Sequence, residues 1–318
     1  MRGKKVVVTG GAGFIGSNLA EALSINNEVV IVDDFSTGKL ENIKDLVATG
    51  AAKLVNGSVT DLDGLRGVFE GTDFVFHLAA IPSVPGSIVD PIGANEVGIK
   101  GTLNVLVAAR DCGVRKVVFA SSSSVYGDTN ELPKREGAEC RPISPYALTK
   151  LVGEHYCRIF TELYGLETVS LRYFNVYGPK QDPNSEYAAV VPRFIVCALK
   201  GRPFLIHGDG SQTRDFIFVK DAVMANIIAA ESPANGIYNI AGGKRTSILE
   251  LAKIISEAAG SELKAEFTEP RKGDIKDSYA DISKARKDLG FEPSYPLEKG
   301  IAETLNWYKT SFQMEKMG

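Results

Sequence analysis

Six short runs rich in β-branched and aromatic residues punctuate the first half of the chain. They are KVVVTG (5–10), EVVIVDD (28–34), AKLVNGSV (52–59), DFVFHLAA (73–80), RKVVFASS (115–122) and ETVSLRYF (167–174). Each is almost continuously apolar, as expected of parallel strands covered on both faces. Between them, segments such as 15–25, 97–111 and 147–164 carry apolar positions three and four apart, the spacing of amphipathic helices. This alternation predicts an α/β fold, a doubly wound parallel sheet with right-handed crossovers. After residue 175 prolines and glycines become frequent and the elements shorten. RDFIFVKDAV (214–223) then reads as a return to the sheet. The expected division is 1–174 plus 214–239 as the sheet domain, with 175–213 plus 240–318 as a smaller mixed α/β region.

Composition narrows the function classes. The 318 residues are 44% hydrophobic and 24% charged with a net charge of −3, the opposite of the basic surface a nucleic-acid binder needs. No apolar run approaches the roughly 20 residues that span a bilayer. Only three valines precede Thr9 in MRGKKVVVTG, too few for a signal-peptide core, so a cytoplasmic location is expected. Cys112, Cys140, Cys157 and Cys197 form no CxxC pair and read as reduced thiols. With only three histidines, no metal site is expected.

The first chemistry lies in VVVTGGAGFIGSNLAEAL. Gly10, Gly13 and Gly16 follow a predicted strand and open a predicted helix. Glycines there let the backbone approach a pyrophosphate, which the helix N-terminus around Phe14 and Ile15 attracts. Asp33 ends the second strand at the position that binds an adenosine ribose diol. Asp33 and Asp34 would repel a 2′-phosphate, so the sheet domain is expected to be a Rossmann domain binding NAD rather than NADP.

A Tyr-x-x-x-Lys spacing occurs twice, as Tyr146 and Lys150 in SPYALTK and as Tyr295 and Lys299 in YPLEK. On a helix, residues four apart share a face, and a cation beside a phenol lowers its pKa from about 10 towards working pH. Such a phenolate is a useful general base. The second copy straddles Pro296 and reads as a turn and helix start.

Taken in order, the G-x-x-G-x-x-G loop, HLAA (77–80), SSSSVYG (121–127), YALTK (146–150) and RYFNVYGP (172–179) resemble the extended short-chain dehydrogenase/reductase superfamily. The resemblance is to its nucleotide-sugar branch, the UDP-hexose 4-epimerases, and covers essentially the whole chain. It implies catalytic roles for Ser122, Tyr146 and Lys150. For NAD it implies contacts from Ser36 and Gly38, from Ser58 and Val59, and from Leu78, Ala79 and Ala80. Asn95, Ser121 and Phe174 complete that set. Ser83, Ser123, Ala189, Val190, Leu205 and Asp274 are expected at the UDP-sugar, with His207 towards the uracil and Asn175, Arg214 and Arg271 at the diphosphate. A homodimer is also implied.

The reaction follows from what stands after Ser122. Ser123 and Ser124 occupy the places where related dehydratases carry an acidic pair, so loss of water is not expected. A 4-epimerase working through a transient 4-keto sugar is expected instead. Four residues after Asp274 stands Ser278, where members restricted to smaller UDP-hexoses carry tyrosine. The smaller side chain leaves room for an N-acetyl group, so UDP-GlcNAc and UDP-GalNAc are expected substrates beside UDP-glucose and UDP-galactose. Ser58 departs from the family's usual adenine-binding Asp, and Asp61 lies three residues on. His77 reads as a structural strand-end histidine. Two alternatives stay open: a UDP-uronate epimerase, decarboxylase or NDP-sugar reductase on the same scaffold, and a catalytically silent NAD-sensing protein.

Overall fold

The computed structural model describes residues 1–129, 131–183, 189–270 and 275–317, with side chains to Ser311. All six predicted strands form: β1 (Lys5–Thr9), β2 (Glu28–Asp33), β3 (Ala52–Asn56), β4 (Phe74–His77), β5 (Lys116–Ser122) and β6 (Glu167–Tyr173). A seventh strand, Gly236–Ile240, pairs in parallel with β6. Across the sheet the order is Gly236–Ile240, β6, β5, β4, β1, β2, β3, with every neighbouring pair parallel. The chain reverses its direction of travel between β1 and β4. Ligands of such sheets bind at that crevice, outside the strands' carboxyl ends.

One expectation needs correction. RDFIFVKDAV does not enter the central sheet. Ile217–Phe218 pairs with Val176–Tyr177, and Val219–Glu231 is a helix. Val219, Ala222, Val223, Asn226 and Ala229 are buried along it, a helical rather than a strand period. The strand that rejoins the sheet ends at Ile240, inside the segment assigned to the smaller region.

Alternating residues of each strand serve the two faces. Val6, Val8 and Phe76 pack on one side with Leu19, Leu23 and Ala229 of the helices Phe14–Ser24 and Val219–Glu231. Val7, Val75 and Phe119 pack on the other with Leu65, Leu106 and Cys157, from the helices Leu62–Phe69, Thr102–Asp111 and Pro145–Tyr164. The predicted helix 97–111 enters through a π-helical turn, Glu96–Gly101, before its α-helical part. A third cluster around Phe194, Phe204, Phe218, Leu251 and Tyr308 forms the core of the C-terminal region.

Candidate functional site

The glycine loop is built for close approach. Gly10 follows β1 at φ +69°, and a Cβ there would sit 2.7 Å from the Ala79 backbone nitrogen. A Cβ on Gly16 would lie 2.1 Å from the Gly10 carbonyl oxygen. The helix Phe14–Ser24 has Gly13 as its N-cap with no side-chain cap, and its first intrahelical donor is the Ser17 amide. The amides of its first turn therefore point to where a phosphate would lie. Asp33 holds the loop from β2, accepting from the amides of Ala12 and Phe35 at 2.9 Å each. Burial raises its pKa against those hydrogen bonds. A Cβ on Gly38 would meet the Asp33 carboxylate at 2.6 Å, so Gly38 packs directly on it. These residues fit a dinucleotide: the loop could cradle its pyrophosphate and Asp33 its ribose.

Ser58 lies beside this region. The Asp34 carboxylate accepts from Ser36 and Ser58, and these bonds hold its pKa down against its burial. Asp61 does not take over the missing acidic role, since its side chain caps the helix Leu62–Phe69 by accepting from the Gly64 amide. Val59 is buried against Gly101. Leu78, Ala79 and Ala80 follow β4, with the Leu78 amide bonded to Thr9. Asn95 ends the helix Pro91–Asn95. Ser121 and Phe174 have little side chain to offer a ligand. The Ser121 hydroxyl donates to Glu154, and the Phe174 ring is fully buried against Tyr126.

The three predicted catalytic residues converge. Ser144 caps the helix Pro145–Tyr164, accepting from the Ala147 amide at 3.2 Å, and Pro145 occupies its first turn. This start brings Tyr146 within hydrogen-bonding reach of Ser122, at the end of β5. Ser122 also accepts from the Ser124 amide at 3.2 Å and the Ser124 hydroxyl at 2.9 Å. The Lys150 ammonium lies 5.8 Å from the centre of the Tyr146 ring and 5.1 Å from that of Phe119.

The electrostatics differ from the sequence-based expectation. Protein packed around Tyr146 desolvates its phenol and raises its pKa, with the Ser122 hydrogen bond acting the other way. Burial lowers Lys150 from 10.5 to about 8. At the phenol, desolvation thus outweighs the Ser122 hydrogen bond, the opposite of the net lowering expected beside a cation. An unfolded lysine binds its proton up to about pH 10.5, so the unfolded state holds more protons between pH 8 and 10.5, and stability rises with pH across that window. Lys150→Met is expected to abolish turnover yet raise stability at pH 7 by on the order of 2–3 kcal/mol. Thermal unfolding from pH 7 to 10 should show the advantage shrinking as pH rises. A lower melting temperature at pH 7 would show the lysine to be stabilising instead.

His77 is structural, as expected. Its Nδ1 lies 2.8 Å from the Thr9 hydroxyl and its Nε2 3.0 Å from that of Thr102. Thr102 spends its proton on the Gly98 carbonyl, so Nε2 donates and Nδ1 accepts. Burial and the Lys150 charge press its pKa down to about 3, keeping it neutral.

A cavity of about 240 Å³ opens beside the predicted catalytic residues, lined by Ser123 and Ser144, their near neighbours in the chain. Its lining joins Ser123 and Ser124 with Asn175, Arg214 and Ser278 from across the C-terminal region. Asn175 adopts φ +22° and donates to the Asp215 carbonyl. Arg214 donates to the Thr213 carbonyl at 2.9 Å, and the Ser278 amide bonds back to Thr213. Arg271 and Asp274 lie outside the described residues. Ser83 is bound up as the cap of the helix Val84–Val89, whose Val84 borders the cavity. Ala189 and Val190 start the helix Val190–Leu199, and neither borders the cavity, nor do Leu205 and His207 of the strand Phe204–His207. A larger cavity, about 710 Å³, lies along Glu154–Glu162 and Asn235–Ile237 and contains none of the predicted site residues.

Sequence reasoning missed Lys134, which also lines the smaller cavity. Its backbone bridges to Ala280, and its ammonium donates to the Thr129 carbonyl at 2.5 Å. A lone lysine in a loop carries no periodic signal that could have flagged it. The decoy pair behaves as read. The Tyr295 ring packs tilted against Phe218 at 4.7 Å, the Lys299 ammonium lies 4.6 Å from its centre, and Asp221 ties down its amide.

A glycine loop at the carboxyl end of the sheet beside a Ser–Tyr–Lys cluster defines a dinucleotide-dependent enzyme of the short-chain dehydrogenase/reductase type. Residues 6–241 match the NAD dependent epimerase/dehydratase family, and the chain belongs to it as an NAD-dependent nucleotide-sugar epimerase. It is 41% identical to a putative UDP-glucose 4-epimerase of Methanocaldococcus jannaschii, over 96% of this chain and 99% of that one. Its fold superposes with a TM-score of 0.95 on a UDP-N-acetylglucosamine 4-epimerase from Methanobrevibacter ruminantium M1, solved with UDP-N-acetylmuramic acid, at 43% identity over 98% of this chain and 100% of that one. A UDP-glucuronic acid 4-epimerase from Bacillus cereus, solved with UDP-glucuronic acid and NAD, gives 0.89 at 34% identity over 96% and 99%. Among the described residues no helix is long and apolar enough to cross a membrane, and no cluster of ligating side chains could hold a metal ion.

Proposed function

We propose that the chain interconverts UDP-hexoses at C4, taking UDP-glucose and UDP-galactose and also their N-acetylhexosamine counterparts. Support comes from the cavity where Ser123, Ser124 and Ser278 face Asn175 and Arg214. NAD, when bound, supplies reversible oxidation at C4. Tyr146 would accept the C4 hydroxyl proton and return it, Ser122 would hold the same oxygen, and Lys150 would bias the phenol towards its ionised form. Arg214 would meet the diphosphate, as a planar permanent cation suits. Among the described lining residues the one carboxylate is Asp277, and it is bonded to Thr213 at 2.5 Å and Arg245 at 2.6 Å. The Thr213 bond above all holds its pKa down, so among the described lining residues no protonated carboxyl group stands ready to expel a hydroxyl, which favours epimerisation over dehydration. The proposed homodimer would cover Leu148 and Leu163, exposed on the helix Pro145–Tyr164.

Lys134 motivates a second reading, since a cation in the cavity suits a sugar acid such as UDP-glucuronate. Incubating the purified protein with each UDP-sugar, without added NAD, decides between the two. Interconversion of hexoses or N-acetylhexosamines supports the first, turnover of the uronate alone the second. Failure with every sugar while NAD is bound would leave a silent NAD-binding protein.

Substrate size provides a separate test. Ser278→Tyr should lower kcat/KM for UDP-GlcNAc by roughly 10–100-fold while sparing UDP-glucose, the range over which pocket volume discriminates. Unchanged N-acetyl turnover in the variant would remove Ser278 from the argument.

A further inference from the structure

The helix Pro145–Tyr164 carries Glu154 one turn beyond Lys150, the place where a lysine and a glutamate commonly pair. They do not pair here. Glu154 is held instead by Arg172 of β6, whose Nε donates to Oε1 at 2.8 Å and Nη2 to Oε2 at 2.7 Å. The two side chains are about 2% and 1% exposed. Ser121 adds its hydroxyl proton to the same carboxylate. The guanidinium also lies over the Tyr126 ring at 4.7 Å, and Tyr126 in turn donates to Asn239. One carboxylate thus clamps the catalytic helix to the end of β5, which carries Ser122, and to the end of β6, which leads to Asn175.

We propose that Arg172 is a positioning residue which, by engaging both oxygens of Glu154, keeps that carboxylate from capturing Lys150 and so leaves the lysine's charge to act on Tyr146. This inference rests on the Tyr146–Lys150 chemistry proposed above. A buried ion pair is poor evidence of stabilisation, because desolvation offsets its attraction, and fixing one arrangement of charges is a use such pairs do serve. The bidentate fork suits that use, since it fills both carboxylate oxygens. Lys150 is 4% exposed, and its charge acts over a short, poorly screened distance.

The charged and titratable groups around Lys150 are few. On its own helix they are Tyr146, Glu154 and the buried thiol Cys157. β4 contributes neutral His77, β5 presents the uncharged Phe119 and Ser122, and β6 contributes Arg172. Glu96 and Lys100, on the neighbouring turn, pair with each other at the surface. Glu154 is therefore the carboxylate poised to compete for the lysine once Arg172 is gone.

The experiment compares the pH dependence of kcat, with NAD and UDP-sugar saturating, in wild type, Arg172→Met and Arg172→Met/Glu154→Gln. In Arg172→Met the freed carboxylate should take Lys150, lowering kcat by about tenfold or more and moving the acidic limb up by about one pH unit. Removing that carboxylate in the double variant should restore both. A second mutation that repairs the first is not expected of a residue that only holds the fold together. An unmoved limb in Arg172→Met, or a double variant no better than the single one, overturns the proposal. Should Arg172→Met fail to fold, Arg172→Lys carries the test: a lysine cannot fork both carboxylate oxygens, so kcat should fall and the acidic limb rise in the same sense, and a limb that stays put overturns the proposal equally. Wild type that shows no epimerase activity on any UDP-sugar would instead defeat the reading on which this inference rests.

Discussion

Tyr146→Phe is expected to lower kcat by roughly 10²–10⁴-fold, the usual contribution of a positioned acid/base group, with UDP-sugar binding close to wild type. The physical case is geometric. The substitution removes one oxygen that reaches Ser122, and the ring keeps its place because the Tyr146 amide is anchored to the Ser87 hydroxyl at 3.0 Å. Single-turnover measurements and calorimetric titration with UDP separate the two quantities. Loss of kcat with unchanged binding would mark the phenol as acting in the chemical step. Retention of activity to within about tenfold would remove Tyr146 from the mechanism. The phenol's raised pKa adds a sign. Proton abstraction needs the ionised form, so wild-type kcat should climb as pH rises through the neutral range.

The second large effect is expected at Gly16→Ala. Its new methyl would meet the Gly10 carbonyl oxygen at 2.1 Å, a contact backbone cannot absorb without moving the loop. Overpacking of this kind costs about 1–3 kcal/mol, so NAD affinity should fall by roughly 10–100-fold. Gly67→Ala is the control. It lies in the helix Leu62–Phe69 with nothing within 4 Å of its Cβ position, and alanine should be tolerated or mildly stabilising there. Equal NAD affinity in Gly16→Ala and wild type would show that the loop does not set the cofactor's approach.

These two sites were legible for one reason. The glycine loop and Asp33 could be read because strand, turn and helix follow one another in the chain, and the spacing carries the geometry. Tyr146 and Lys150 were legible for the same reason, both lying on one face of one helix. The misreading of 214–223 has a local cause. FIFV looks like a strand, and its apolar run continues into a helix whose small buried alanines give a weak periodic signal. The signal for Glu154 and Arg172 was present but ambiguous. Arg172, a charge in the interior of the strand ETVSLRYF, invites a partner, and the sequence does not say which of several acids it is.

By itself the sequence determined the doubly wound sheet, the dinucleotide loop and the candidate acid/base pair, because each depends on periodicities and contacts within a few turns of chain. The tertiary structure decided what stands around them. It brought Ser123, Asn175, Arg214 and Ser278 to one cavity and added Lys134 to it. It gave Asp61 to a helix cap and joined Glu154 to Arg172 across two elements. It also set the protonation balance, since burial is a property of the folded whole: the same lysine that should ionise the tyrosine is itself held down to about 8 by the protein around it.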